Sequence, residues 1–429
     1  MNVSDSERIS TTLVRDGFKM TTDVAVADVV IINTCSVREK AEHKLYSRIG
    51  RVRHAAKKKP VIGVMGCVAQ LEGETLFKKI EGVDFVLGTR AVGRVSAAIN
   101  ETFSTGKNFL DVGEREDNYD WTVADTHRHS PYVAFLPIIE GCNKFCTYCI
   151  VPFSRGRERS FTASVIVRQV EELRQKGVRE VHLIGQNVNS YKPETDFGLE
   201  KVAGKSAFSR LLRAVAATGI ERIKFTTSFP RDFNSDIVDA IEENENLCNW
   251  VHLPVQSGSN RVLKLMKRGH TIESYLEKIN RLRSSHRDIA LTTDIIVGFP
   301  GEKEDDLQDS VKMVECCGFD MAYIFKYSPR PGTPAFEMVD TVSAAEKTLR
   351  FLELEKAQKR IQNNRLQRYV NKVLKVLVEG RSSRTDFGFS GHSTCHKIVN
   401  FKGPSDLLGR VVNVRITEIK SNSLFGEVY

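Results

Sequence analysis

Apolar and polar positions alternate along the chain in a strand-then-helix rhythm that changes character twice. Val29 to Asn33 is a short β-branched run that predicts a buried strand ending at Thr34-Cys35. Ser36-Val37-Arg38-Glu39 then reads as a capping box opening a helix with Ala41, Leu45 and Val52 at helical spacing. Pro60 to Met65 predicts the next strand, ending at Gly66-Cys67, and Phe85 to Leu87 a third. Ahead of these, Ser4-Asp5-Ser6-Glu7 reads as another capping box, opening a helix whose apolar face includes Ile9 and Leu13. This alternation predicts a parallel α/β sheet over residues 1–117, with Cys35 and Cys67 at carboxyl ends of strands, where open sheets of this kind place their sites.

After a polar approach, Thr126 to Pro131, the rhythm becomes six repeats of a buried strand and an amphipathic helix. The predicted strands are Tyr132 to Ile139, Glu180 to Ile184, Arg222 to Thr227, Asn249 to Leu253, Ile289 to Val297 and Met321 to Lys326. One helix carries Ile166, Val170 and Leu173, another Ile272, Tyr275, Leu276 and Ile279, and Gly177 and Gly219 close two helices. Six units fall short of a complete eight-unit barrel, so residues 128–362 predict a partial, open (βα)6 TIM-like barrel with its site at the carboxyl ends of the strands. Pro329 to Pro334 ends the barrel, and Ser343 to Asn364 reads as a long charged helix. From there the period falls to two, as in Val373 to Val378 and Val411 to Ile416, which predicts a small antiparallel β-barrel over residues 365–429.

Composition changes this picture in three places. A chain of 429 residues is too long for one core, in agreement with three domains. No apolar run reaches the roughly 18 residues of a membrane span, and the start MNVSDSERIS has neither the basic nor the apolar stretch of a secretory signal, so the expected location is the cytoplasm, with no membrane partner. The net charge is +9, and residues 367–429 hold ten Lys or Arg against five Asp or Glu, so the last domain is either a basic RNA platform or a solubilising cap.

The nine cysteines are clustered by motif, not spread as a disulfide framework. Cys142, Cys146 and Cys149 stand in a C-x3-C-x2-C spacing, three thiolates within eight residues. A closed structural zinc site takes four ligands, whereas a [4Fe-4S] cluster held by three cysteines leaves one iron open, and the spacing favours iron over zinc. Cys35 and Cys67 are read either as a facing pair or as isolated core thiols, their matched placement after strands favouring the pair, and Cys248, Cys316, Cys317 and Cys395 as small buried apolar residues. Polar residues mark the other strand ends: Gln186, Asn187 and Asn189; Ser228; His252 and Gln256; Gly298. Each is read either as a contact to cofactor or substrate or as a loop cap, and His252 as a loop histidine or a proton donor. Arg155, Arg157 and Arg159 alternate, and read as a phosphate contact or as a solvated charge run.

The string GCNKFCTYCIVPFSRGRERS resembles the radical S-adenosylmethionine (SAM) enzymes, and within them the methylthiotransferase branch. INTCSVREKAE, VMGCVAQ, GQNVNSY, HLPVQSGS and IVGFPGE resemble further stretches of that branch, and VEG with SLFGEVY resembles its tRNA-binding TRAM domain. The resemblance implies two [4Fe-4S] clusters and S-adenosyl-L-methionine as cofactors. Cys142, Cys146 and Cys149 would hold the cluster that chelates SAM, and Cys35 and Cys67 two-thirds of the ligands of an auxiliary cluster. Tyr148 would lie near the SAM adenine or pack the loop. The family's first cysteine would fall two residues upstream of Met1, so the reading frame is expected to extend upstream and supply a strand and a cysteine.

The implied reaction uses two SAM molecules: one methylates sulfur on the auxiliary cluster, the other yields a 5′-deoxyadenosyl radical that removes hydrogen from adenine C2. The motifs look most like the enzymes that 2-methylthiolate N6-isopentenyladenosine beside the anticodon of tRNA, making the tRNA anticodon loop the partner. A reduced electron donor such as flavodoxin or ferredoxin, a sulfur donor and a monomeric chain complete the expectation. The alternatives are relatives acting on threonylcarbamoyladenosine or a ribosomal protein, and a non-catalytic iron–sulfur RNA-binding or redox-sensing protein.

Overall fold

Residues 1–36, 39–113, 123–382, 388–420 and 422–429 are described by a computed structural model. The chain divides into two units: Met1–His129 with Glu140–Asn143 and Cys149–Glu158, and Ser130–Ile139 with Lys144–Tyr148 and Arg159–Tyr429. Among the described residues, no helix is long and apolar enough to cross a membrane.

In the first unit β1 (Val29–Thr34), β2 (Val61–Gly66), β3 (Phe85–Leu87) and β4 (Phe109–Asp111) form a parallel sheet in that order. Side chains alternate across it. Ile32, Ile62 and Val64 pack on Leu45, Ile49 and Val52 of α2 (Glu39–Ala55), whereas Met65, Phe85 and Leu87 face Ile9 and Leu13 of α1 (Asn2–Arg15). The predicted strands are present, and β4 is a fourth that was not predicted: unlike the wholly apolar Phe85–Leu87, its three residues end in Asp111 and expose Leu110.

The capping box at Ser4 is not formed. Helix α1 starts at Asn2 with Met1 as its N-cap, so Ser4 lies inside it, and Glu7 accepts instead from the His129 backbone N–H. Of the second box, Val37 and Arg38 lie outside the described residues, as does the predicted boundary at 117, and the side chain of Ala41 is not described.

The second unit carries the six predicted strands in two parallel triplets. β5 (Val133–Pro137), β8 (Glu180–Ile184) and β9 (Arg222–Thr226) form one; β10 (Trp250–His252), β11 (Ala290–Val297) and β12 (Met321–Lys326) form the other. Between these, the two-residue strands β6 (Ile139–Glu140) and β7 (Arg159–Ser160) flank the cysteine loop in sequence. The predicted strand Tyr132 to Ile139 breaks after Pro137, and Ile138 N–H donates to Ile184 O at 2.9 Å. Between β9 and β10 the ladder thins to a bridge at Ile223 and Leu247, with Ser228 N–H donating to His252 O at 3.1 Å.

Gly177 and Gly219 end the helices Ala163–Gln175 and Ala207–Ala217 at φ 83° and 74°, as a C′ glycine does. The long helix runs Ala344–Gln367, opened by a capping box between Ser343 and Glu346. The tail closes as a five-stranded barrel of β13 (Val373–Arg381), β14 (Phe389–Ser393), β15 (Ile398–Lys402), β17 (Ser423–Val428) and β16 (Val411–Lys420), in that order. All its pairings are antiparallel except β15 with β17, which run parallel because β16 lies between them in sequence. Cys248, Cys317 and Cys395 are buried as expected; Cys316 is exposed, which corrects that expectation.

Arg222 ties this barrel to β9. Its guanidinium is 5% exposed, pairs with Glu180 at 2.7 Å and donates to the carbonyls of His392 and Ser393 at 2.8 and 2.9 Å. Replacing Arg222 with Met takes one cation from the buried Glu180 carboxylate, which keeps its hydrogen bond to His182, and leaves the two carbonyls without this donor; removal of one partner of a buried pair costs about 3–5 kcal/mol. Urea unfolding of Arg222→Met should show a loss of that order.

Candidate active site

Within the first unit, β1 and β2 pair in register from Val29 with Val61 to Thr34 with Gly66. Cys35 follows directly after β1 and Cys67 opens the helix Cys67–Glu72 after β2, so the two leave neighbouring strands at the same level, a spacing of about 5 Å. Gly66 makes the exit possible: at φ 95° a Cβ there would meet the Asn33 amide oxygen and the Thr34 carbonyl. Cys67 is buried and Cys35 half-buried.

The same unit holds Cys142 and Cys149. Cys142 N–H donates to Gly156 O at 3.1 Å, and Gly141 (φ 78°) passes so close to the Arg157 and Gly156 carbonyls that no side chain fits. Arg155 is the electrostatic centre here. It ends a short helix, Val151–Arg155, is 4% exposed and pairs with Asp5 and with Glu140 (3.1 Å). Burial opposes its charge, but Asp5 and the nearby Cys67 hold its pKa above the ordinary arginine value, while burial raises that of Glu140. Arg157 and Arg159 are exposed. The expected row of three arginines is therefore corrected: the helix breaks the alternation, and Arg155 is internal, unavailable to phosphate.

In the second unit Cys146 is buried, and the next residue is tied down on both sides. Thr147 N–H donates to Met266 O at 3.1 Å, its hydroxyl to Leu265 O at 3.0 Å, and its carbonyl accepts from Ala335 N–H at 2.8 Å. Arg268 approaches both the Cys146 sulfur and the Tyr148 hydroxyl at 3.5 Å, donates to Pro254 O at 2.7 Å and lies over the Phe229 ring at 4.3 Å. Sequence reading missed it, because Lys267-Arg268 looks like any charged turn after a helix. Tyr148 also packs against the cluster of Val262, Met266, Phe299 and Tyr327.

The remaining strand-end residues sort by what their polar atoms already do. Gln186 Oε1 and Ser228 Oγ are buried and have no hydrogen-bond partner among the described residues. Asn187 is buried. Asn189 is spent on structure, its amide donating to Phe229 O at 2.8 Å and accepting from Phe229 N–H at 2.7 Å. His252 Nδ1 bonds Thr292 Oγ1 at 2.9 Å and its Nε2 lies 3.5 Å from Asp294. Gln256, at φ 78°, joins the β11 ladder through its backbone, and Gly298, at φ 69°, is covered by the Lys347 stem. Among the described residues, no three His, Cys, Asp or Glu side chains are arranged as a metal site. None of the cysteines is in a disulfide, and the three-thiol loop has the donor chemistry of an iron–sulfur cluster.

Residues 136–314 match the radical SAM superfamily, residues 1–88 match uncharacterized protein family UPF0004, and residues 367–429 match the TRAM domain. These matches and the three-cysteine loop define a radical SAM enzyme with a TRAM tail. The whole chain is 41% identical to the tRNA-2-methylthio-N(6)-dimethylallyladenosine synthase of Clostridium tetani (strain Massachusetts / E88), covering 94% of that protein. It is likewise 41% identical to the synthase of the same name from Serratia proteamaculans (strain 568), covering 90% of it. The chain belongs to this family of radical SAM methylthiotransferases. In fold it is similar to the radical SAM methyltransferase TsrM from Kitasatospora setae, with TM-score 0.54 at 13% identity over 77% of this chain and 70% of that one.

Proposed function

We propose that this chain transfers a methylthio group to C2 of an N6-dimethylallyladenosine in the anticodon loop of tRNA. The observation that carries this reading is full-length identity of 41% to synthases of that name, with the cysteine loop in place. Cys142, Cys146 and Cys149 would hold the [4Fe-4S] cluster that binds SAM, and Cys35 and Cys67 would contribute two thiolates to an auxiliary cluster. Bound there, cluster and SAM supply one-electron cleavage to a 5′-deoxyadenosyl radical, which an adenine C–H requires because it offers no acidic proton to a side-chain base.

The chain's own residues bind and position. Arg268 places a buried positive charge beside Cys146, suited to the SAM carboxylate, and Gln186 and Ser228 offer polar atoms to the same ligand. Tyr148 and Phe299 close the apolar side. Asn189 and Gly298 act through the loops they fix. The basic terminal barrel would grip tRNA, with a flavodoxin or ferredoxin as reductant, a separate sulfur donor and the cytoplasm as location.

Mass spectrometry of tRNA nucleosides from a strain lacking this gene tests the reading. The methylthio-dimethylallyl nucleoside should vanish while its unthiolated precursor accumulates, and the gene supplied in trans should reverse both. An unchanged nucleoside profile overturns the assignment.

A further inference from the structure

The first unit carries a charge feature that the proposed chemistry does not use. Residues 43–71 contain seven Lys or Arg and no Asp or Glu. All seven, Lys44, Arg48, Arg51, Arg53, Lys57, Lys58 and Lys59, are exposed. Among the described residues none of them forms an ion pair, although the protein pairs many of its other arginines. The last four, Arg53, Lys57, Lys58 and Lys59, line a surface cavity of about 440 Å³ together with Glu81. Its backbone is fixed: Lys57 N–H donates to Ala25 O at 3.2 Å, and the Arg53 guanidinium lies across Gly82, where a Cβ would collide with it.

A cation near a helix carboxyl end is favoured by the helix dipole, which accounts for one or two charges after Ala55. It does not account for seven unneutralised ones, whose mutual repulsion works against the fold. The position narrows the partner. Helix α2 starts just after Cys35 and runs 17 residues away from it, about 25 Å at 1.5 Å per residue. Lys57 to Lys59 then lead into the start of β2, whose other end is Cys67. The ridge therefore sits at the edge of the sheet opposite the two cysteines. A small nucleotide cannot touch both ends, but a folded RNA can. The cavity lining includes Pro60 and Ile62 but no aromatic residue, so it lacks the anchor that a protein partner would fill.

We infer that the exposed ridge from Arg51 to Lys59 is a second RNA-backbone contact, gripping tRNA phosphates far from the nucleotide being modified. This rests on the tRNA reading above and adds where on the first unit the RNA is held.

Salt-dependent binding of an unmodified tRNA transcript to the full-length, cluster-reconstituted chain tests it. Each phosphate contact contributes about 0.7–0.9 to the slope of log K against log salt. The variant Lys57→Gln/Lys58→Gln/Lys59→Gln should lower the slope by about 2 and weaken low-salt binding about tenfold. Lys→Arg replacements at the same three positions should keep the parental slope, and Arg51→Gln/Arg53→Gln should lower it by about 1.5. Parental slope and affinity in both Gln variants overturn the inference alone. A parent that binds no tRNA overturns the tRNA reading and this inference with it. Normal tRNA binding with loss of flavodoxin-driven but not dithionite-driven SAM cleavage would make the ridge a docking site for an acidic protein, and so overturn the RNA assignment.

Discussion

Replacing Cys146 with alanine should reduce 5′-deoxyadenosine formation from SAM to the uncatalysed background and remove about four irons per chain, one cluster's worth. Two thiolates cannot hold a cluster that needs three and still present its open iron. Cys146 is buried and in no disulfide, so its thiol is available to the cluster in the parent chain. Cys67→Ala should behave differently: SAM cleavage persists and the methylthio product is lost, because Cys67 opens the helix that follows β2 in the first unit and serves sulfur delivery in the proposed reading. Chromatography of 5′-deoxyadenosine, beside iron analysis of both variants, separates these outcomes. Equal loss of SAM cleavage in both would contradict two clusters with separate duties.

The second large effect is on stability. Arg155→Met should lower the unfolding free energy by about 3–5 kcal/mol, since it removes the buried guanidinium that pairs with both Asp5 and Glu140. Arg155→Lys should recover little, because a point charge on a flexible stem does not bridge two carboxylates as a planar guanidinium does. Adding Asp5→Asn and Glu140→Gln to Arg155→Met should restore much of the loss. Chemical denaturation followed by circular dichroism reads all of these, and an unaltered midpoint in Arg155→Met would show that the buried triad does not support the fold.

The strands were legible where β-branched runs are long enough to be read, as at Val29–Thr34 and Ala290–Val297. Phe109–Asp111 was not, for three residues with an exposed Leu110 carry no period. The Ser4 to Glu7 box shows the limit of a local motif: the residues for a cap are present, but the helix is capped three residues earlier, at Met1, and uses Glu7 for a distant backbone group. In the site, the cysteines were legible because three thiols at close spacing have few other uses. Arg155 and Arg268 were not, since only the folded chain shows which arginines of a basic sequence are buried. Asn189 looked like a ligand for the opposite reason: an amide that clamps the Phe229 backbone has the same sequence signature as one that binds a cofactor.

The most direct test of the central claim is spectroscopic. The chain, purified under argon, loaded with iron and sulfide and reduced with dithionite, is given SAM while the cluster's paramagnetic resonance is recorded. The account predicts a signal perturbed by SAM in the parent and absent from Cys146→Ala, with 5′-deoxyadenosine appearing only in the parent. Tightly held zinc in place of iron, or a cluster signal indifferent to SAM, would contradict it.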